Sequence, residues 1–253
     1  MHPLISSLYA SSLQFAVGCL LATVVCDQLG EVTPGFLRLA AVTAVSGAWL
    51  AWALTANGVA GEGASSLALL VLLLGYTVFS FTGLRRTRLT LGWLAMVAGV
   101  IGMALAAFAR PSPSLGSTLT ALIAATSAVA LGTSVISMVL GHWYLMTPRL
   151  SARPLRLLCD LSIMSLVALT GVALWYVMER PDATSFGLNS PWFRWPSFVS
   201  VTVVPIGITI AARFCCQEWP RGRAIQAATG LLYISSAMVL AGALAANMVV
   251  LGG

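Results

Sequence analysis

The sequence predicts an all-α protein that crosses a membrane several times. Its 253 residues are 59% hydrophobic and 8% charged, with a mean hydropathy of +0.95, whereas a soluble globular domain carries roughly 25% charged residues. Apolar runs near the ~20 residues needed to cross ~30 Å of hydrocarbon recur along the chain. We therefore expect one integral membrane domain, residues 1–253, folded as a polytopic transmembrane helical bundle.

Eight apolar runs are candidate transmembrane helices, and the loops between them are too short to form a soluble domain. The first lies in "MHPLISSLYASSLQFAVGCLLATVVCDQLG". This stretch has no positively charged start and no small-residue cleavage site, so we expect it to be retained as a span. The eight runs cover residues 5–26, 36–57, 65–84, 90–109, 118–146, 155–178, 195–215 and 225–250.

The arginines predict the orientation of these helices. Ten of them fall after spans 1, 3, 5 and 7, and three fall on the other side. Because cytoplasmic loops are enriched in basic residues, we expect both termini to be periplasmic, in a bacterial inner membrane. The net charge of +6 does not indicate nucleic-acid binding, since the arginines form short groups between apolar runs. The ten are Arg38, Arg85, Arg86, Arg88, Arg149, Arg153, Arg156, Arg213, Arg221 and Arg223; the three are Arg110, Arg180 and Arg194.

The cysteines agree with this orientation. Cys26, Cys159, Cys215 and Cys216 fall near the side predicted to be cytoplasmic, and Cys19 lies within the first span. Cytosolic thiols stay reduced, so the sequence predicts no disulfide framework. The chain also has no C-x-x-C pair, and we expect no metal site formed by this chain alone.

One segment, "LGHWYLMTPRLSARPLRLLCD" (140–160), concentrates groups that can do chemistry. His142 lies before Pro148 near the end of span 5, and Asp160 lies one to two turns into span 6. At 1.5 Å per residue the two are at similar depth in the inner leaflet. Asp160 is the one acidic residue that the predicted spans enclose, and an ionisable group there costs at least ~2.5 kcal/mol unless paired or used.

This segment predicts a binding site for a quinone headgroup. Histidine titrates near neutral pH, Tyr and Trp offer a flat face with a polar tip, and a carboxylate can relay protons. A faint similarity between residues 72–89 and 138–155 sets Tyr76 opposite His142. The predicted quinone-binding residues are His142, Trp143, Tyr144, Arg149, Asp160 and Tyr76, with Arg153 and Arg156 as further donors.

The same residues also have a purely structural interpretation. Asp160 lies four residues after Arg156, the spacing of an ion pair within one helix. His142 would then be an interfacial histidine, with Trp143 and Tyr144 as anchors in the aromatic belt. The aromatic cluster Trp192, Phe193 and Trp195 in the outer loop has two interpretations as well, a docking surface for a periplasmic partner or part of that belt.

Several other classes of protein are excluded or disfavoured by the residues present. A bis-histidine haem needs two histidines at one depth, whereas His2 and His142 lie at opposite membrane surfaces. The sequence has no Walker loop, zinc motif or nucleophile elbow. It also has no lysine that could carry a retinal Schiff base. We expect neither haem nor metal from this chain alone.

Eight spans, two outer termini, an "MHP" start and no haem histidine pair resemble the membrane anchor subunits of dimethyl-sulfoxide-reductase-type and polysulfide-reductase-type complexes. The resemblance implies a subunit that anchors redox partners and exchanges electrons with quinone. It covers the layout of most of the chain. The His-, Arg- and Trp-rich segments of that family after its third span have no counterpart in "GLRRTRLTLGWL" (83–94), so no family residue is carried over.

Two alternatives remain at the level of sequence. The first is a small-solute transporter, in which Gly132 and Gly171 would break helices near the midplane. The second is a scaffold subunit that has no binding site. We favour the anchor subunit because polar groups concentrate at one membrane boundary, as an amphipathic ligand requires.

Overall fold

A computed structural model describes residues 3–55, 63–109, 117–147, 150–179, 203–218 and 222–252. These residues form eight α-helices, a 3-10 turn over Cys216–Glu218 and no strand. The all-α class is therefore confirmed, and each predicted span corresponds to one helix. The helices are α1 (Pro3–Leu29), α2 (Pro34–Thr55), α3 (Gly63–Phe79), α4 (Arg85–Ala109), α5 (Ser117–Met146), α6 (Arg153–Glu179), α7 (Val204–Cys215) and α8 (Gly222–Gly252).

Six of the described helices are long and apolar enough to cross a membrane: α1, α2, α4, α5, α6 and α8. The other two are apolar but shorter, with 17 residues in α3 and 12 in α7. Large apolar side chains also stay exposed on the outside of the bundle, as lipid contact requires. Examples that are more than half exposed are Trp49, Val71, Val97, Ile101 and Ile234. The fold is that of a multi-pass helical membrane protein.

Helix α1 lies at the centre of the bundle. It packs against α2, α4, α5 and α8. Of the 18 residues in its most apolar stretch, 67% are buried inside the protein, compared with 28% for the corresponding stretch of α6. A helix that is apolar on every side is stable only when protein or lipid surrounds it. Here protein surrounds α1, while α3 packs against α2 and α4, and α7 packs against α6 and α8.

The contact between α1 and α5 brings two backbones together. A Cβ atom built on Gly132 would lie 1.8 Å from the carbonyl carbon of Gly18, and one on Gly18 would lie 1.8 Å from the carbonyl oxygen of Ala128. Only glycine fits at such a crossing, which is how helices approach closely in membranes. The expectation that Gly132 and Gly171 break their helices is wrong: α5 and α6 run continuously through both positions.

We expect Gly132→Ala to destabilise the protein, because its new methyl group overlaps the α1 backbone and overpacking costs ~1–3 kcal/mol. The matched control is Gly171→Ala, where a Cβ meets nothing within 4 Å. There alanine should leave stability unchanged or raise it by up to about 1 kcal/mol through helix propensity. Thermal unfolding of the detergent-solubilised protein compares the two. Equal effects would contradict the close crossing.

Candidate functional site

His142 lies on the surface of the bundle, one turn before the end of α5. Its side chain is exposed, and its Nδ1 atom lies 3.4 Å from the hydroxyl of Tyr233 on α8. The two rings meet edge to face, with centroids 6.3 Å apart, and Tyr233 is 45% exposed. The pair therefore forms a small polar patch on the exposed surface of the bundle, where α5 and α8 adjoin.

Trp143 holds α5 against the start of α2. Its indole Nε1 donates a hydrogen bond of 2.8 Å to the hydroxyl of Thr33. The same hydroxyl accepts from the Phe36 amide at 3.4 Å, as a helix N-cap does. The indole ring also lies over Gly35, where a Cβ would be 2.8 Å from a ring carbon. Trp143 is thus half-buried between two helices.

Tyr144 is fully buried and fixes the turn between α5 and α6. Its hydroxyl donates to the carbonyl of Ser151 at 2.6 Å. This role had no signal in the sequence beyond the position of the tyrosine before the turn. The neighbouring candidate Arg149 lies outside the described residues, as do the candidate docking residues Trp192, Phe193 and Trp195.

Asp160 pairs with an arginine from another helix. Arg213, in the last turn of α7, donates from Nε to Asp160 Oδ1 at 2.7 Å. The expected ion pair between Asp160 and Arg156 is not among the ion pairs of the described residues, so that structural interpretation is corrected. Nor does a hydrogen bond join Asp160 to His142 in those residues: their described partners are Arg213 and Tyr233, on α7 and α8.

Tyr76 belongs to a buried ionic cluster that the sequence analysis missed. Its hydroxyl donates to Asp27 Oδ2 at 3.1 Å. Arg88 donates to both oxygens of the same carboxylate, from Nε at 2.7 Å and from Nη2 at 2.5 Å. Asp27 is 2% exposed and Arg88 is 7% exposed. The carboxylate of Asp27 therefore has three donors and is buried with its countercharge.

Asp27 was missed because span 1 was expected to end at residue 26, whereas α1 continues to Leu29. Gly30 ends the helix with φ +69° and an N–H bonded to the Asp27 carbonyl. Arg85 donates to the carbonyls of Asp27 and Gln28 at 3.1 and 3.0 Å, which satisfies the end of α1. The sequence did contain one indication of this cluster, since Asp27 lies at the same predicted depth as the arginines of "RRTR" (85–88).

A second polar cluster lies along the first half of α1. Gln14 and Asn247 exchange two amide hydrogen bonds of 3.1 and 2.9 Å between α1 and α8, and Asn247 also donates to Ser11 at 2.9 Å. All three are buried. A cavity of about 30 Å³ adjoins the pair, room for about two water molecules and far too small for a quinone ring. The sequence indicates this cluster only through the side-chain amides of Gln14 and Asn247, which lie inside apolar runs.

The five cysteines are free thiols. Among the described residues, no three His, Cys, Asp or Glu side chains are grouped as metal ligands. Comparison with known protein families, with curated proteins and with solved structures finds no match. The fold and the sites above therefore carry the functional argument alone.

Glu31 and Arg153 form an exposed ion pair between the α1–α2 loop and the start of α6. Arg153 Nη1 donates to Glu31 Oε1 at 3.0 Å. A hydrogen bond from Ser151, and after it the bond and charge of Arg153, hold the pKa of Glu31 below its ordinary value of 4.5. These contacts link the α1–α2 loop to the turn before α6 and to the first residue of α6.

We expect Asp27→Asn to be much more damaging than Asp160→Asn. The first leaves the buried Arg88 without its countercharge, which costs ~3–5 kcal/mol. The second removes a pair whose carboxylate is 46% exposed, for which about 1 kcal/mol or less is expected. Unfolding of the purified variants in detergent gives both values. Similar losses in the two variants would contradict the difference in burial.

We expect Glu31→Gln to change how stability depends on pH. Because the folded pKa of Glu31 is lowered, its contribution is present above pH 4.5 and is lost as pH falls through the folded pKa. Wild type should therefore lose more stability than the variant between pH 6 and roughly pH 3, the range in which a carboxylate with a lowered pKa titrates. Melting temperatures are measured for both proteins across this pH range. If they fall in parallel, the proposed contribution of Glu31 is contradicted.

Proposed function

We propose that this chain is the membrane subunit of a respiratory or electron-transfer complex, which anchors redox partner subunits and interacts with quinone near the cytoplasmic leaflet. The observation that carries the proposal is the exposed pair of His142 and Tyr233 between α5 and α8. A quinone dissolved in the bilayer reaches a protein from its lipid-facing side, which is where this pair lies. We place the complex in the bacterial inner membrane.

The proposal includes eight spans with both termini periplasmic. It is supported by the arginines that bond other residues at one end of the bundle. Arg88 bonds the end of α1, and Arg38 bonds the Ser80 carbonyl at the end of α3 and lies 4.3 Å from the Phe81 ring. Arg153 and Arg213 make ion pairs at the same end. A bundle whose arginines gather at one face orients that face toward the cytoplasm.

The chemistry of the pair suits a quinone. Reduction to a quinol takes two electrons, which the redox centre of the partner supplies, and two protons, one bound at each carbonyl oxygen. The imidazole of His142 has no partner at Nε2 among the described residues, so this atom can donate a hydrogen bond to one quinone oxygen. The Tyr233 ring offers a flat apolar face beside it. In this proposal Asp160 does not contact the quinone. It links α6 to α7 through its ion pair with Arg213.

Transport is less well supported than the anchor function. A transporter binds its solute through polar groups near the midplane. In the described part of the bundle the buried polar clusters are hydrogen-bonded internally, Gln14 with Asn247 and Asp27 with both Arg88 and Tyr76. They leave few donors for a polar substrate.

The first test is mild affinity purification from the native membrane, followed by mass spectrometry. Co-purification of iron–sulfur, molybdenum, hydrogenase or cytochrome subunits is the expected result. A chain that purifies alone would overturn the anchor function.

The second test measures binding of decylubiquinone to the purified chain through quenching of tryptophan fluorescence. His142→Ala should weaken binding about tenfold, as loss of one hydrogen bond of ~1.4 kcal/mol implies, and Tyr233→Phe should weaken it less. Met146→Ala is the matched control, because Met146 is 70% exposed one turn further along α5. Equal affinities for wild type, His142→Ala and Met146→Ala would exclude this surface as the quinone site.

A further inference from the structure

We propose that the inner face between α6 and α7 binds a phosphate group through Arg156 and Arg213, and that an anionic phospholipid headgroup supplies it. This site is separate from the pair of His142 and Tyr233, so its test does not depend on the quinone proposal. The fold leaves one hydrogen-bond donor of each arginine unpaired.

Two guanidinium groups converge at this place. Arg156 lies in the first turn of α6, and Asp160 lies one helical turn later on the same face. Arg213 reaches that face from the last turn of α7 by its bond to Asp160. Both guanidinium groups also lie close enough to the Cys216 thiol to interact with it electrostatically. The two arginines thus share one site with one carboxylate.

Each of these arginines has a buried donor without a partner. Arg156 Nε and Arg213 Nη1 are buried and make no hydrogen bond within the described structure. Buried donors are nearly always paired, so an unpaired one calls for a partner that is absent from the chain. The contrast is Arg88, whose Nε and Nη2 atoms both bond the carboxylate of Asp27. Among the described residues Asp160 is paired with Arg213 and not with Arg156, so the two arginines and one carboxylate leave a net positive charge.

The charge, the geometry and the position favour phosphate. Its oxygens accept several charge-assisted hydrogen bonds at once, and guanidinium groups match them well. The site is open to a ligand, since the side chains of Arg213 and Asp160 are 24% and 46% exposed. Arg156 and Arg213 each lie in the terminal turn of an apolar helix, the depth at which lipid headgroups lie. Basic pockets between helices at this level bind anionic headgroups.

The experiment measures thermal unfolding of the delipidated protein in dodecyl maltoside with added lipid. Palmitoyl-oleoyl phosphatidylglycerol should raise the melting temperature more than the zwitterionic phosphatidylcholine of the same acyl chains does. Arg156→Gln should remove most of that difference. Arg86→Gln is the matched control, because Arg86 is exposed at the start of α4, and it should keep the difference.

A third arm adds inorganic phosphate without lipid. If phosphate alone reproduces the stabilisation and Arg156→Gln abolishes it, the site is assigned to free phosphate and the headgroup is overturned as its source. Equal effects of the two lipids on wild type, or equal loss in Arg156→Gln and Arg86→Gln, would overturn the site itself.

Native mass spectrometry of the wild type keeps the test valid even if Arg156→Gln does not fold. From an equimolar mixture of the two lipids, the protein should retain phosphatidylglycerol about fivefold over phosphatidylcholine. Both headgroups contain the phosphate, but only phosphatidylglycerol has a net negative charge, and one uncompensated arginine should give a preference of this size. Retention of both lipids in equal amounts would contradict the proposal.

Discussion

The contact between the backbones of α1 and α5 at Gly18 and Gly132 is the constraint on which the rest of the bundle depends. Lipid offers no hydrophobic driving force between helices, so close packing and hydrogen bonds must hold them. The absence of a side chain at both positions lets α5 touch the α1 backbone. Helix α1 then becomes a central element around which α2, α4 and α8 also pack.

The central position of α1 also explains where the buried polar groups are found. Asp27 at one end of α1 meets Arg88 and Tyr76, and Gln14 nearer the other end meets Asn247. A polar group buried without a partner is expensive, so the carboxylate and the amide of the central helix require partners on neighbouring helices. The hydroxyls of Ser12 and Thr23 instead bond carbonyls of α1 itself. These bonds fix the depth and rotation of α1 relative to α4 and α8, which apolar packing alone specifies weakly.

The end of the bundle that holds the turn between α5 and α6 differs from this core because its polar groups are more open and less completely paired. His142 and Tyr233 are exposed on the surface between α5 and α8, and Arg156 and Arg213 have donors left over beside Asp160. The proposed quinone surface and the proposed headgroup site both follow from this difference.

The sequence by itself determined the all-α class and the approximate position of every described helix, because a run of apolar residues in lipid must be helical to satisfy its backbone. It also determined that His142, Tyr144 and Asp160 flank one tight turn. The tertiary structure alone decided their partners. Helices that are apolar all round carry no pattern that shows which side packs, so neither the bond from Arg213 to Asp160 nor that from Trp143 to Thr33 was predictable. Asp27 lay just beyond the predicted end of span 1 at residue 26, and its burial depends on where α4 crosses the end of α1.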